Sequence, residues 1–209
     1  DLARPTAYIP YINEAFTNGI YFRDDQLMAK LAETDTVIFD KTGTLTVTKS
    51  EICQIEIIDS RYTKERLLQI TAMAEQGIRH PVATAIRKEA AQIKSGPVPL
   101  AKQVIYKPGL GIHAAVQGQP VVVGNERLMS QSGIDLTAAQ SRAKRLMHFG
   151  LIPVYVAIDG SIRGILGIRD IIKEESLEAV CQFRMAGIRD FAVISGDRTE
   201  NTGQLAKDL

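Results

Sequence analysis

The seven residues Asp40-Lys41-Thr42-Gly43-Thr44-Leu45-Thr46 hold the densest chemistry in the chain. A carboxylate leads them, a glycine follows three places on, and Thr42, Thr44 and Thr46 supply hydroxyls. Just upstream, Thr36-Val37-Ile38-Phe39 is a short apolar run rich in β-branched residues, which predicts a buried strand ending at Asp40. Open α/β sheets bind their ligands outside the carboxyl ends of their strands. A carboxylate at such a place can attack a phosphorus atom and form an acyl phosphate. The incoming negative charge then has to be neutralised, by hydroxyls, backbone N–H groups and Mg²⁺. A second apolar run, 190–194, leads in the same way into Ser195-Gly196-Asp197-Arg198.

The elements that must position these strings can be read from periodicity. Helical spacing marks 23–34, where Leu27, Lys30, Leu31 and Thr34 share a face. Residues 51–58 alternate as a strand. Helices are predicted over 64–76 and 82–94. The second has an apolar stripe broken by Glu89, and Pro81 in its first turn. Between about 96 and 126, glycine and proline punctuate short β-rich pieces at 102–106, 112–116 and 120–123, with Gln117-Gly118-Gln119 as a hairpin turn. A helix follows near 137–148, then a hairpin over 153–158 and 162–168, a helix over 174–185, a strand over 190–194 and a last helix over 199–209. The ends alternate strand and helix, which predicts a parallel α/β sheet. The middle, about 49–163, reads as an α+β insertion that splits it. The last helix stops with no capping glycine or proline, an ending expected of a chain cut from a longer one.

Composition narrows the classes. At 209 residues there is room for one to two domains. Twenty-five Lys+Arg against 24 Asp+Glu leave a net charge of +1, which argues against a partner read through its nucleic-acid phosphates or an anionic membrane surface. With 45% hydrophobic and 23% charged residues the chain is of the folded, globular kind. No run approaches 18 consecutive apolar residues, the start lacks the apolar core of a signal peptide, and no repeat is visible. Cys53 and Cys181 stand far apart without CxxC spacing, which excludes a disulfide scaffold or a cysteine zinc cluster and fits a reducing compartment. These cysteines, His113 and His148 form no ligand pair and read as structural. The run Arg87-Lys88-Glu89 and the basic residues at 142–145 read as solvated helix faces.

DKTGTLT at Asp40 resembles the phosphorylation motif of P-type ATPases, ion pumps whose P domain belongs to the haloacid-dehalogenase superfamily. Ser195-Gly196-Asp197-Arg198 resembles their TGD(N) motif, and Asp170-Ile171-Ile172-Lys173 their DxxK/R element. Within the insertion, His80-Pro81 resembles the SEHP motif of the heavy-metal-transporting P1B pumps, and Glu75 stands where those pumps carry an adenine-contacting glutamate. Lys107-Pro108-Gly109-Leu110-Gly111 resembles their GxG loop and Gly124-Asn125 their GN element. More loosely, Leu2-Ala3-Arg4-Pro5-Thr6 is similar to a segment after the pumps' membrane motif, and 18–23 to the stretch before the phosphorylation strand.

The resemblance implies a fold, a mechanism and a location. The fold is α/β: a haloacid-dehalogenase-like (Rossmannoid) parallel-sheet P domain, over 24–48 and 164–209, interrupted by an α+β nucleotide-binding N domain over 49–163, with 1–23 as a lead-in from the membrane region. ATP docks between Glu75, His80 and the loop of Gly109 and Gly111, where the glycines let backbone approach the nucleotide, and Asn125 closes the pocket. Hinge closure brings the terminal phosphate to Asp40. Mg²⁺ is held by Asp40 and the backbone carbonyl of Thr42, with Thr44 and Ser195 as hydroxyl donors and Asp197 anchoring the nucleotide across the interface. The partners are the nucleotide and the rest of the pump, not nucleic acid. The chain is expected to be soluble, and to lie at the cytoplasmic face of a membrane in the intact protein. Hydrolytic relatives often carry a second aspartate where Thr42 stands. Its lack favours a persistent aspartyl phosphate, hence a pump over a stand-alone phosphatase. A phosphatase with a large cap, or a non-catalytic nucleotide-binding module, are the alternatives. Three departures stand out: Arg79 for the SEHP glutamate, Ser195 for the TGD threonine and Arg198 for asparagine. The later lysine and the GDGxND motif do not occur in the sequence, so the isolated chain is expected to phosphorylate poorly.

Overall fold

Val154, Val156 and Ile158 face one way along a strand, Tyr155 and Ala157 the other, and all five are buried. A strand that is apolar on both faces needs a layer of structure on each side. The computed structural model, which describes residues 3–23, 26–93 and 101–194, provides those layers. The last predicted helix, over 199–209, lies outside the described residues.

The chain divides into two compact units, 1–38 with 180–192, and 39–179 with 193–209. In the first, α1 (Ala3–Thr17) runs through Pro10, and α2 (Gln26–Ala32) leads towards β1 (Thr36–Asp40). β1 is hydrogen-bonded to β8 (Asp190–Ile194) in a two-stranded sheet. The amides of Arg189 and Asp190 donate to the Asp35 carbonyl at 2.9 and 3.1 Å, which ties in the start of β8.

The second unit holds a six-stranded antiparallel sheet of order β2-β7-β6-β5-β4-β3. Its strands are β2 (Thr46–Ile57), β3 (Lys102–Lys107), β4 (Gly111–Val116), β5 (Gln119–Gly124), β6 (Ile152–Ile158) and β7 (Ser161–Ile172). One face packs on α3 (Lys64–Ala74) and α4 (Pro81–Ala90) through Leu67, Leu68, Met73 and Ile86. The other packs on α5 (Glu126–Gln131) and α6 (Gln140–His148) through Met129, Ala143 and Leu146. Finally, α7 (Glu174–Met185) follows β7.

Most predicted elements stand where periodicity placed them, but β1, expected to be buried, alternates exposed and half-buried residues with Ile38 60% exposed, and other readings change as well. β2 begins at Thr46, five residues before the predicted start, and β7 runs on to Ile172. The two pair from Thr46↔Ile172 to Ile57↔Gly164, so both strands cross the expected domain boundaries at 48/49 and 163/164. The basic residues at 142–145 are not simply solvated: Arg142 and Arg145 reach Glu56 of β2 at 3.7 and 2.7 Å.

Gly111 and Gly124 are register partners on β4 and β5. A Cβ on Gly111, whose φ is +140°, would lie 2.1 Å from the Val123 carbonyl oxygen, and one on Gly124 would lie 2.3 Å from that of Leu110. Neither obstacle is a flexible side chain, so backbone has to move. Gly111→Ala is therefore expected to cost about 2 kcal/mol or more, a fall in Tm of roughly 4–8 °C in thermal denaturation. Gly118→Asn, in a turn with open space around it, should cost less than half as much. Equal losses would show that the close approach of β4 and β5 is not the constraint.

Candidate functional site

The chain leaves β1 at Asp40 and makes one π-helical turn, Lys41–Leu45, before β2. The Thr46 amide closes it by donating to the Lys41 carbonyl, and the buried Thr46 hydroxyl donates to the same oxygen at 3.2 Å. That hydroxyl is thus spent on the turn. Asp40 and Thr44 are exposed, and among the described residues nothing hydrogen-bonds the Asp40 carboxylate. Gly43, with φ +78°, supplies the left-handed position that the turn requires.

Two residues of the DxxK string hold this turn from outside. Asp170 at the end of β7 accepts from the Lys41 ammonium at 2.9 Å, and its other oxygen accepts from the Ser50 hydroxyl at 3.1 Å. Lys41 is only 4% exposed. Lys173 donates from Nζ to the Gly43 carbonyl at 2.7 Å and from its amide to that of Leu45 at 3.0 Å. The Ser176 hydroxyl donates to the Leu45 carbonyl at 3.1 Å.

Glu75, His80, Gly109, Gly111 and Asn125 all line one cleft of about 380 Å³. That volume is within the range of small-molecule sites. Ile78, Val82, Leu110, Ile112, Ile152 and Val154 give it apolar walls, and Tyr106, Ser50 and Asp170 also line it. Each predicted residue owes its place to a helix end or a turn. Glu75 ends α3; it is 6% exposed, and among the described residues no donor reaches its carboxyl. Burial pushes that carboxyl up to about 7, against a smaller pull downwards from Arg87. His80 caps α4: its Nδ1 accepts from the Val82 amide at 3.3 Å, with Pro81 at the first helical position. A neutral ring that accepts at Nδ1 carries its proton on Nε2, and Nε2 has no partner among the described residues. Asn125 caps α5 by accepting from the Leu128 amide at 3.0 Å, while its Nδ2 donates to the Gly109 carbonyl at 2.9 Å. It therefore fastens the glycine turn to the helix. Gly109, with φ +71°, has open space where a Cβ would be. Gly111 has none. Its close neighbour is β5, so sheet pairing already requires a glycine there, and Gly111 lines the cleft as well.

Asp40 is not among the cleft residues. Ser195 and Asp197 lie outside the described residues, as does the side chain of Thr42. Arg87 departs from the solvated reading: its guanidinium donates to the carbonyls of Glu75 at 2.7 Å and Ile78 at 2.9 Å, and to the Thr84 hydroxyl at 3.2 Å. The carbonyls that α3 leaves behind need donors, and α4 passes close enough to provide one. Arg79 lines a neighbouring cleft with Lys49 and Lys88, which shares Ser50, His80 and Pro81 with the first. Sequence reasoning missed Ser50 and Tyr106, which carry no motif. It named Asp170 and Lys173 only as a matching string. His113 meets Ser132 at 3.3 Å, and Cys53 and Cys181 are exposed free thiols.

Among the described residues no group of three or more His, Cys, Asp or Glu side chains is placed to hold a metal ion. The turn offers oxygens from the exposed Asp40 carboxylate and Thr44 hydroxyl and from its backbone carbonyls, that of Thr42 among them. Mg²⁺ accepts so small a set when substrate phosphates and waters complete it.

Comparison with known proteins bears on what this arrangement is for. The haloacid dehalogenase-like hydrolase family matches residues 34–209. A copper-exporting P-type ATPase of Vibrio cholerae serotype O1 is 35% identical over 208 residues, covering 100% of this chain and 22% of that protein. Copper-transporting ATPase 1 of Rhizobium meliloti is 34% identical over 208 residues, covering 100% of this chain and 25% of that protein. The crystal structure of a zinc-transporting PIB-type ATPase in its E2.Pi state superposes with a TM-score of 0.66 at 28% identity, covering 84% of this chain and 28% of that one. The chain spans 22–25% of the length of these two curated relatives. It resembles the catalytic region of heavy-metal-exporting P-type ATPases. With the match running through the Asp40 strand, the insertion and β8, the chain belongs to the haloacid dehalogenase-like hydrolase family.

Proposed function

We propose that this chain is the ATP-binding and phosphorylation region of a heavy-metal cation-transporting P-type ATPase, in which ATP hydrolysis through an aspartyl phosphate on Asp40 drives metal export across a membrane. In this reading 49–163 forms the nucleotide-binding domain, 24–48 with 164–209 the phosphorylation domain, and 1–23 the lead-in from the membrane. The observation that carries it is the convergence of Glu75, His80, Gly109 and Asn125 on one apolar-walled cleft, whose wall residue Asp170 is ion-paired to the neighbour of Asp40.

The apolar walls accept the adenine ring. Glu75 and the Nε2–H of His80 address its polar edge. A carboxyl poised near neutrality presents, when protonated, one donor and one acceptor, the complement of the adenine N1 and amino group. Asn125 keeps the glycine turn against the nucleotide. Closure of the cleft on the turn brings the terminal phosphate to Asp40. The Asp40 carboxylate attacks that phosphorus, the bond to the bridging oxygen breaks, and its electron pair leaves with ADP. The Thr44 hydroxyl and the amides of the turn stabilise the charge on the transferred group. Mg²⁺, on Asp40 and the Thr42 carbonyl, supplies charge neutralisation when bound. Ser195 holds a phosphate oxygen and Asp197 anchors the nucleotide. Thr42, in place of a second aspartate, leaves the acyl phosphate without a local general base.

Two outcomes test this. In calorimetric titrations with ATP, ADP and AMP, His80→Ala weakens all three by about tenfold, the worth of one hydrogen bond in a desolvated site. Asp40→Asn leaves them within about twofold. Unchanged titrations for the histidine variant would refute the pocket. The second outcome concerns Glu75, whose value when folded, about 7, stands above its ordinary 4.5. The folded state thus holds that proton more tightly. The group stabilises most below pH 4.5, loses this through the interval up to about 7, and costs up to about 3 kcal/mol above it. Denaturant unfolding of Glu75→Gln should show a gain over wild type at pH 8 that shrinks by most of that amount at pH 5. An equal difference at both would mean the carboxyl is not buried as described.

A further inference from the structure

The π turn that presents Asp40 is gripped at two places by one short stretch of chain. Lys173 and Ser176, where α7 starts, hold the carbonyls of Gly43 and Leu45, away from the cleft. Asp170 holds Lys41, and does so from the cleft wall. Its side chain is 29% exposed, against 5% for Lys41. Its second oxygen is occupied by Ser50, whose β2 position is the register partner of Asp170 and which also lines the cleft. Ser50 borders the neighbouring cationic cleft of Lys49 and Arg79 as well. One carboxylate therefore faces two ways: towards whatever occupies the cleft and towards the residue that follows Asp40.

We propose that Asp170 is a positioning residue that transmits occupancy of the cleft to the Asp40 turn, through its ion pair with Lys41 and its hydrogen bond from Ser50. The Asp170 carboxylate holds the buried Lys41 ammonium at 2.9 Å, so a displacement of that carboxylate pulls on the turn. A polyphosphate brought to the cleft has the same sign as that carboxylate and competes for the same donors. The pair weakens or reorients, and the turn at Asp40 changes shape while the Lys173 grip keeps its far end in place. The inference rests on the cleft being a nucleotide site, and it assigns to the DxxK string two separable tasks: Asp170 responds to ligand, Lys173 does not.

Hydrogen–deuterium exchange of the peptide covering 39–46, in the full chain with and without ATP, reads both tasks. Without nucleotide, Asp170→Asn is expected to exchange at least threefold faster there than wild type, with α3 and β6 unchanged. ATP should alter the wild-type exchange by twofold or more and leave that of Asp170→Asn unaltered. Lys173→Met should also exchange faster, yet keep the response to ATP, which a merely structural role of Asp170 would not separate. Ser50→Ala loses one grip only and gives a smaller change in the same direction, so the question is decided even if Asp170→Asn fails to fold. Unchanged nucleotide-free exchange in both Asp170→Asn and Ser50→Ala overturns the proposal. So does a wild-type turn indifferent to ATP that calorimetry shows to be bound. If wild type binds no nucleotide at all, the reading of the cleft falls and the coupling falls with it.

Discussion

An ammonium group buried next in sequence to Asp40 sets the terms for the rest of this structure. Lys41 is 4% exposed, and taking such a charge out of water is tolerable only with a hydrogen-bonded counter-charge. One counter-charge, Asp170, is 129 residues further along the chain. The pair is buried on the lysine side and partly open on the aspartate side, so losing the carboxylate removes a charge-assisted hydrogen bond from a group that water reaches poorly. The pairing of β2 with β7 is thereby pinned at one end by charge as well as by apolar contact. Ser50 stands opposite Asp170 and Thr46 opposite Ile172, with irregularities between Thr46 and Ser50 and between Ile52 and Gln54 that absorb the mismatch. A slip of one residue would turn Ile168 and Leu166 to the wrong face and at the same time draw Asp170 away from Lys41.

The cleft follows a different rule, that helix ends leave backbone groups unpaired. Three such ends meet there. His80 satisfies an amide at the start of α4, Asn125 one at the start of α5, and Arg87 collects carbonyls beyond α3. Each residue spends one polar group on the backbone and keeps another: Nε2 of His80 for the cleft, Nδ2 of Asn125 for the glycine turn. Capping fixes these side chains before any ligand arrives, which lowers the conformational cost of binding. The same residues serve fold and site, so a substitution such as His80→Ala acts on both.

How much of this was legible in the sequence depended on how local the cause was. Periodicity and turn chemistry are local, and they located α7, β8 and the strands from β3 to β6 to within a residue or two. The early start of β2 was not legible, because Thr46-Val47-Thr48-Lys49-Ser50 lacks alternation and owes its extended form to β7, more than a hundred residues away. The π turn was not legible either: its closure depends on the Thr46 hydroxyl and on Lys173, and neither is announced by residue spacing. The cleft residues Glu75, His80, Gly109 and Asn125 were found through motifs. Ser50 and Tyr106 carry no motif, and only the folded sheet brings them there. Arg87 was misread for a related reason. A charge run on a helix looks solvated unless one knows that a neighbouring helix ends against it.

Glu75 shows why such a site is a compromise. Its carboxyl is buried at the end of α3, with Arg87 near enough to act through charge while donating to the Glu75 and Ile78 carbonyls and the Thr84 hydroxyl instead. Buried polar groups in folded proteins almost always have a hydrogen-bond partner, and one without requires an explanation. Stability alone favours an apolar or amide side chain at this position. The carboxyl persists in an apolar-walled cleft that also presents the free nitrogen of His80, so the deficit lies where a ligand can remove it. A ligand that supplies the missing donor recovers a desolvation cost already incurred on folding, and its hydrogen bond forms without stripping water from the protein side. A ligand lacking that donor leaves the deficit in place. Discrimination of this kind, by penalty and not by attraction, is stronger than any that the apolar walls could provide.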